Sequence, residues 1–269
     1  MPEGDTIFRT AEVLRSALAG KRITEAVAVP GPRVARPPAL ERLVGDTVTA
    51  VEPRGKHLLI SFGSGPTLHT HLGVTGSWHR YARGERWRRS RRSASVVLGT
   101  ADHVVACFSP ARVELLRGAE LARNAALRAL GPDLLADEFD EDEATRRLRA
   151  RPDTAVADAL LDQRAVAGIG NMYKSELLFR RGINPWRRVR DVTDEDLRAV
   201  LGDARGLLAA NVRGGARRTT GNDPAAAGER LWVSRRTGRP CRRCGTPIRS
   251  GRQGELARST YWCPGCQSA

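Results

Sequence analysis

Four cysteines near the end of the chain constrain its fold more tightly than any other feature. Cys241 and Cys244 form one Cys-x-x-Cys pair, and Cys263 and Cys266 form a second. A spacer of about 15–20 residues between two such pairs is the spacing of a four-thiolate zinc site. Each pair bends the chain in a tight turn, so that all four sulfurs reach one tetrahedral ion. Gly245 and Gly265 supply the backbone freedom that those turns need. Two disulfides would use the same residues, but nothing in the sequence suggests secretion, and zinc is the expected occupant. So short a module has little core without metal, so the zinc is expected to be structural and its binding coupled to folding. Arg249, Arg252 and Arg258 lie between the pairs. They make the expected hairpin a cationic finger suited to phosphate or a nucleic-acid groove.

The charge points the same way. The chain of 269 residues carries a formal net charge of +15, and of its 45 basic residues only Lys21, Lys56 and Lys174 are lysine. A GC-rich genome accounts for arginine in place of lysine but not for the excess of positive charge, which indicates a polyanionic partner. No apolar run approaches the ~20 residues of a membrane span. No signal-peptide pattern opens the sequence, so a cytoplasmic location without membrane association is expected. Cys107 lies in an apolar run and is expected to be a buried, inert thiol.

Taken in order, the chain begins with an amphipathic helix whose apolar stripe is Ile7, Ala11, Leu14 and Leu18, with Asp5 or Thr6 as N-cap and Gly20 as terminator. Short, turn-separated strands follow at 23–29, 47–51, 58–62, 67–71, 95–98 and 103–108, with hairpin signals at 63–65 and 99–102. No helix-length pattern interleaves them, which favours an antiparallel sandwich over a parallel sheet. The basic run 83–92 reads as a solvated loop. Beyond about residue 120 the pattern turns helical, with helices expected at 140–150, 154–161, 171–181 and 193–210, and a linker or mobile loop at 213–230. Gly168-Ile169-Gly170 separates two of these helices, and Asn171 opens the second. Its side chain is placed either to cap that helix or to donate to a phosphate at its positive end.

These pieces, in this order, resemble the Fpg/Nei family of DNA glycosylases. The resemblance rests on Pro2-Glu3-Gly4, Gly55-Lys56-His57, His71-Leu72-Gly73, Gly131-Pro132-Asp133, Gly168-Ile169-Gly170-Asn171 and the ending Arg258 through Gln267. It implies an α+β multidomain protein. Residues 2–120 would form a catalytic β-sandwich with a leading helix, 121–230 a helix–two-turn–helix DNA-binding domain, and 231–269 the zinc finger. It further implies a monomeric bifunctional glycosylase and AP lyase that excises oxidised bases and nicks the strand by β,δ-elimination. Its nucleophile would be the amine of Pro2 after removal of Met1. Glu3 would be the acid, Lys56 a DNA contact that helps proton transfer, and Arg258 the finger arginine used in elimination. Asn171, Arg128, Arg112, His71, Val74 and Gln267 are implied to face damaged DNA, duplex or single-stranded.

Three places depart from the pattern. The purine-excising branch carries an Arg-Arg-Phe wedge where this chain has Ala111-Arg112-Val113. The endonuclease VIII branch carries a Gln-Leu-Tyr gap filler where this chain has Gly73-Val74-Thr75. A carboxylate common three residues after the Pro-Glu start is replaced by Thr6. Gly4 and the Tyr-Trp-Cys-Pro-Gly-Cys-Gln ending favour the endonuclease VIII branch and oxidised pyrimidines. The alternatives are an oxidised-purine glycosylase and a non-catalytic DNA-binding zinc protein. Bulky side chains normally fill the hole left by a flipped base, so the small Val74 favours open or single-stranded DNA.

Overall fold

The computed structural model describes residues 1–31 and 33–268, which divide into two compact units, Met1–Arg128 and Ala129–Ala269. In the first, α1 (Gly4–Leu18) precedes β1 (Glu25–Ala28), β2 (Val48–Arg54), β3 (His57–Phe62), β4 (Pro66–His71), β5 (Ser77–Ala82), β6 (Ala94–Gly99), β7 (His103–Phe108) and β8 (Arg112–Arg117). Two short helices, α2 (Gly118–Arg123) and α3 (Ala125–Arg128), close the unit. The strands form two antiparallel four-stranded sheets, ordered β1-β6-β7-β5 and β2-β3-β4-β8.

One apolar core joins both sheets to α1. Ile7, Ala11, Leu14 and Leu18 pack with Val48, Leu58, Ile60 and Leu68 of one sheet and with Val96, Leu98, Val105 and Cys107 of the other. The expected sandwich and leading helix are therefore present, and Cys107 is fully buried, with its thiol pushed up by desolvation. The basic run 83–92 is more than a solvated loop. Trp87 lies flat on Tyr81, with ring centroids 4.8 Å apart and planes 3° from parallel. Arg89 covers Phe108 at 4.4 Å, so this segment closes the outer face of the first sheet.

The helix start also differs from expectation. Gly4 is already helical, and extended Glu3 is the N-cap. The Glu3 carbonyl accepts from the Thr6 and Ile7 amides at 3.0 and 3.1 Å, which begins the ladder before Asp5 or Thr6 is reached. Asp5 instead turns its carboxylate onto the Thr6 amide at 2.7 Å, inside the first turn. Gly20, at φ 71°, ends the helix region as its sequence position implies.

The second unit contains α4 (Glu141–Arg149), α5 (Val156–Leu161), α6 (Asn171–Arg180), α7 (Asp194–Val212) and the hairpin β9 (Arg249–Gln253) and β10 (Arg258–Trp262). Asp140 and Thr193 cap α4 and α7 with their side chains. The helical core gathers Leu148, Leu160, Ile169, Tyr173, Leu177, Val200 and Leu208. A smaller core ties the hairpin region to α6, because Phe179 packs with Trp232, Val233, Cys241, Ile248 and Cys263. Segment 213–230 is tethered at several points. Thr219 is buried and donates to both Glu176 and the Arg230 carbonyl, and Asn211 bonds Arg218 at both its amide and its carbonyl. Among the described residues no helix is long and apolar enough to cross a membrane.

Candidate functional site

Chemistry-bearing residues gather at two places, one in each unit. In the first, Pro2 is half-buried and Glu3 is completely buried at the N-terminus of α1. A carboxylate there faces the positive end of the helix dipole, which favours negative charge. Asp5, in the same turn, is also buried. Met1 precedes Pro2, so the proline nitrogen is an amide without a basic lone pair in this form of the chain.

Lys56 sits in the tight turn between β2 and β3, where Gly55 takes φ 57°. Beside it the sheet register places His57 opposite His71 on β4, with ring centroids 4.9 Å apart. His57 Nδ1 lies 2.8 Å from His69 Nε2, and His69 Nδ1 lies 3.0 Å from Glu114 Oε2 on β8. Arg112 and Asn124 donate to the same carboxylate at 3.1 and 3.2 Å. With Glu114 as acceptor, the proton of His69 belongs on Nδ1, that of His57 on its own Nδ1, and His57 Nε2 is left as an acceptor. Burial pushes His57 down to about 3, helped by His71, His69, Arg112 and Lys56. Burial, then the charge of Lys56, pushes His71 down to about 4. Burial also lowers His69, against the opposing pull of Glu114. All three imidazoles are therefore neutral near pH 7.

The two segments where wedges were expected abut each other. A side chain on Gly73 would meet Ala111 Cβ at 2.8 Å, and Gly73 itself takes φ 65°. The Ala111 amide donates to the His71 carbonyl at 2.8 Å. Val74 stands at the tip, 47% exposed, and Arg33 reaches Thr75 Oγ1 at 3.1 Å. Arg112 and Arg128 are exposed. The structure thus brings Lys56, His71 and Arg112 into one electrostatic neighbourhood and sets Val74 on the loop that leaves His71.

In the second unit, α5 and α6 are joined by two turns held by Gln163. Its Nε2 donates to the Leu161 and Ile169 carbonyls at 2.9 and 3.0 Å, and its Oε1 accepts from the Gly168 amide at 3.1 Å. Gly168 takes φ 113°, a conformation that glycine alone adopts readily. The segment containing Gly131 packs directly on these turns, and a Cβ at Gly131 would collide with the Ala165 carbonyl. Asn171 is the first helical residue of α6 but not its cap, since Gly170 holds that position without a side-chain bond. Asn171 Nδ2 instead donates to the Ser259 carbonyl on β10 at 2.6 Å. Arg258, half-buried, immediately precedes that carbonyl.

The four cysteine sulfurs all lie within 4.8 Å of one another, and none is disulfide-bonded. Cys244 to Cys263 and Cys244 to Cys266 are 3.4 Å, and Cys241 to Cys266 is 3.8 Å. A tetrahedron with metal–sulfur bonds of about 2.3 Å has edges of about 3.8 Å, so the cluster fits one metal ion. Burial, then bonds to its neighbour thiols, pushes the Cys266 thiol up, which a cation at the centre would reverse. Gln267 is turned inward. Its Oε1 accepts from the Cys263 amide at 3.0 Å and its Nε2 donates to the Ile183 carbonyl at 2.8 Å. It braces the second cysteine turn, and 1% of it is exposed.

Several residues that the sequence reading passed over complete these clusters: His57, His69 and Glu114 in the first unit, Lys174 and Glu176 in the second. Lys174 lies three residues after Asn171, a spacing that puts both on one helix face. Glu176 is fully buried and accepts from the amides of Trp232, Val233 and Ser234 at 2.8, 2.9 and 2.7 Å. It fastens the chain that leads into the cysteine cluster.

Comparison with known proteins covers the whole chain. Residues 1–114 match the profile of the formamidopyrimidine-DNA glycosylase N-terminal domain, and 130–222 match that of the formamidopyrimidine-DNA glycosylase H2TH domain. The chain is 44% identical to the probable endonuclease 8 2 of Streptomyces coelicolor, over 100% of this chain and 94% of that protein. It is 42% identical to the DNA-(apurinic or apyrimidinic site) lyase Nei2 of Mycolicibacterium smegmatis, over 100% of both. Identity to an Escherichia coli endonuclease 8 is 34%, over 99% of this chain and 100% of that one. The fold superposes on a Lactococcus lactis formamidopyrimidine-DNA glycosylase bound to AP-site DNA with a TM-score of 0.82, at 22% identity and full coverage of both chains.

Proposed function

This chain belongs to the Fpg/Nei family, and on that premise we propose that it is a bifunctional DNA glycosylase and AP lyase of the endonuclease VIII type, active in base excision repair. One observation carries the reading: 42% identity to an AP lyase over the full length of both chains, with Pro2 followed by a wholly buried Glu3. Oxidised pyrimidines are the proposed substrates, in keeping with the endonuclease 8 relatives. Zinc is the proposed metal of Cys241, Cys244, Cys263 and Cys266, where it would fasten the finger on which Arg258 rides. The proposed setting is a monomer acting on DNA in the cytoplasm.

Removal of Met1 turns the Pro2 nitrogen into a secondary amine. An unperturbed α-amine has a pKa of about 7.7–8.0, so a useful fraction is neutral at physiological pH. Its lone pair attacks C1′ of the damaged nucleotide as the bond to the base breaks. The attacking nitrogen then sheds its proton and pushes O4′ off C1′, so the sugar ring opens, and Glu3 supplies the proton taken up by the departing base or by O4′. The product is an iminium between Pro2 and C1′. That cation withdraws electrons from the sugar, so a C2′ proton is lost and the 3′ phosphate departs, followed by the 5′ phosphate. Lys56, beside neutral His57 and His71, is the only cation of its hairpin turn that can also give up a proton, which arginine cannot. Asn171, Arg128, Arg112 and His71 hold the DNA, and Val74 enters the gap left by the flipped base. The inward orientation of Gln267 argues for a bracing role instead.

A gel assay of Met1-free protein on duplex DNA with one abasic site tests the reading. Cleavage to β,δ-elimination products supports it. Tight binding without cleavage would favour the non-catalytic alternative.

A further inference from the structure

Lys174 is completely buried on α6, in a chain that otherwise uses arginine for nearly all its positive charge. Its ammonium donates to Asn171 Oδ1 at 3.1 Å and to Thr260 Oγ1 at 2.7 Å, and reaches the Ser259 carbonyl at 3.5 Å. Thr260 passes the chain on by donating to Gln253 Oε1 at 2.7 Å, and Gln253 Nε2 donates to the Pro185 carbonyl at 2.9 Å. Its charge also reaches Asp158 on α5, whose carboxyl burial pushes up and Lys174 pulls back down. One side chain thus contacts the start of α6 and strand β10, reaches β9 through Thr260, and acts electrostatically on the preceding helix.

The chemistry of the ammonium decides what this does to Asn171. A carboxamide has a donor end and an acceptor end of nearly the same shape, and only its partners fix which way it faces. As an ammonium, lysine donates and does not accept. The Asn171 atom beside Lys174 must therefore be oxygen, and the NH2 must lie on the other side, where one N–H goes to Ser259. The second N–H remains as the donor that a phosphate can take. Were the amide to flip, its oxygen would face the phosphate and repel it.

We propose that Lys174 is a positioning residue for DNA binding: it locks the Asn171 amide with its donor face outward. The inference rests on the phosphate role proposed for Asn171, and the test separates the two. A methionine at 174 keeps the length and apolar stem of lysine but leaves the Asn171 and Thr260 oxygens without its donor, so stability is followed together with binding.

The test measures the affinity of Lys174→Met, Asn171→Ala and the double variant for a duplex containing a tetrahydrofuran abasic analogue, across a salt series. Metal content and thermal unfolding are recorded alongside. Each single variant is expected to bind roughly tenfold more weakly, about the worth of one hydrogen bond to a charged group. The double variant is expected to bind no worse than Asn171→Ala alone, because Lys174 acts through Asn171. The salt slope of Lys174→Met is expected to match that of the unaltered protein. A lysine that itself neutralised a phosphate would lower that slope by about 0.9. Additive losses in the double variant, a reduced slope, or unchanged affinity of Lys174→Met would each overturn the proposal. If Asn171→Ala binds normally, the phosphate role of Asn171 falls and this inference with it. Should Lys174→Met lose metal or unfold, Thr260→Val supplies the same test, since it removes the 2.7 Å acceptor while keeping the shape of the threonine. It is then expected to weaken binding in the unaltered background but not beside Asn171→Ala, and additivity there would count against the proposal.

Discussion

Burial meets different partners in the two lysine neighbourhoods. Around Lys56, three imidazoles are packed between strands and driven neutral, and their tautomers are set by a carboxylate at the far end of the row. Around Lys174, an ammonium is taken wholly out of water and surrounded by oxygen acceptors from one strand and one helix. An imidazole gives up its proton when desolvated, whereas a lysine given three oxygens has acceptors for its donors. The first neighbourhood suits proton traffic at a half-exposed lysine. The second suits rigid presentation of a donor and a strand. Proton handling beside Lys56 and rigid presentation of a donor beside Lys174 are the contrast that these two arrangements draw.

The largest expected effect strikes the second unit. Cys244→Ser, or stripping of the metal with a chelator, should abolish strand cleavage, because Cys241 and Cys263 share a core with Phe179 of α6. The first unit keeps its own core and should retain its cooperative unfolding by calorimetry. Loss of both transitions would contradict the separation of roles.

Glu3→Gln tests the other side of the comparison. General acid catalysis contributes about 10²–10⁴-fold, so base excision should fall by that order. Cleavage at a preformed abasic site, where no base has to leave, should fall much less. Equal losses on the two substrates would remove Glu3 from the base-release step.

Gln267→Ala sharpens the comparison by separating bracing from contact. It would leave the Cys263 amide and the Ile183 carbonyl unsatisfied, at a cost of about 1–3 kcal/mol each when buried. Lower thermal stability with unchanged salt dependence of DNA binding is expected. A lowered salt slope at full stability would return Gln267 to the DNA-facing set.

The smallest effect is a pH response confined to the first unit. His57 and His71 are held near 3 and 4 in the folded chain, below the ordinary 6.5 that they regain on unfolding. Between these limits the unfolded chain binds protons that the folded chain refuses, so stability rises with pH. It is complete above about 6.5 and is lost as pH falls toward 4. His71→Gln should flatten that decline in the melting temperature of the first unit, and an unchanged profile would contradict it.

Much of this was legible in the sequence, for physical reasons that also explain the omissions. The cysteine spacing brings the four sulfurs together because the paired turns demand it, and the α1 stripe fixes its packing face. β5 and β8 escaped because Ser-Trp-His-Arg-Tyr-Ala and Arg-Val-Glu-Leu-Leu-Arg carry no clean two-residue alternation, their outward faces being covered by Trp87 or by polar partners. Gln267 entered the DNA-facing set through the family resemblance, and sequence does not show where its amide points. Lys174 left two faint signs, its rarity and its place three residues after Asn171. The hairpin acceptors that give it meaning lie 85 and 86 residues away along the chain.

The central claim is that the amine of residue 2 attacks the sugar. It is tested most directly by adding borohydride while Met1-free protein acts on abasic duplex DNA, then mapping the protein–DNA cross-link by mass spectrometry. The account predicts a covalent adduct at Pro2, absent from protein that retains Met1 or an N-terminal tag. No adduct from correctly processed protein, or a link at Lys56, would contradict it.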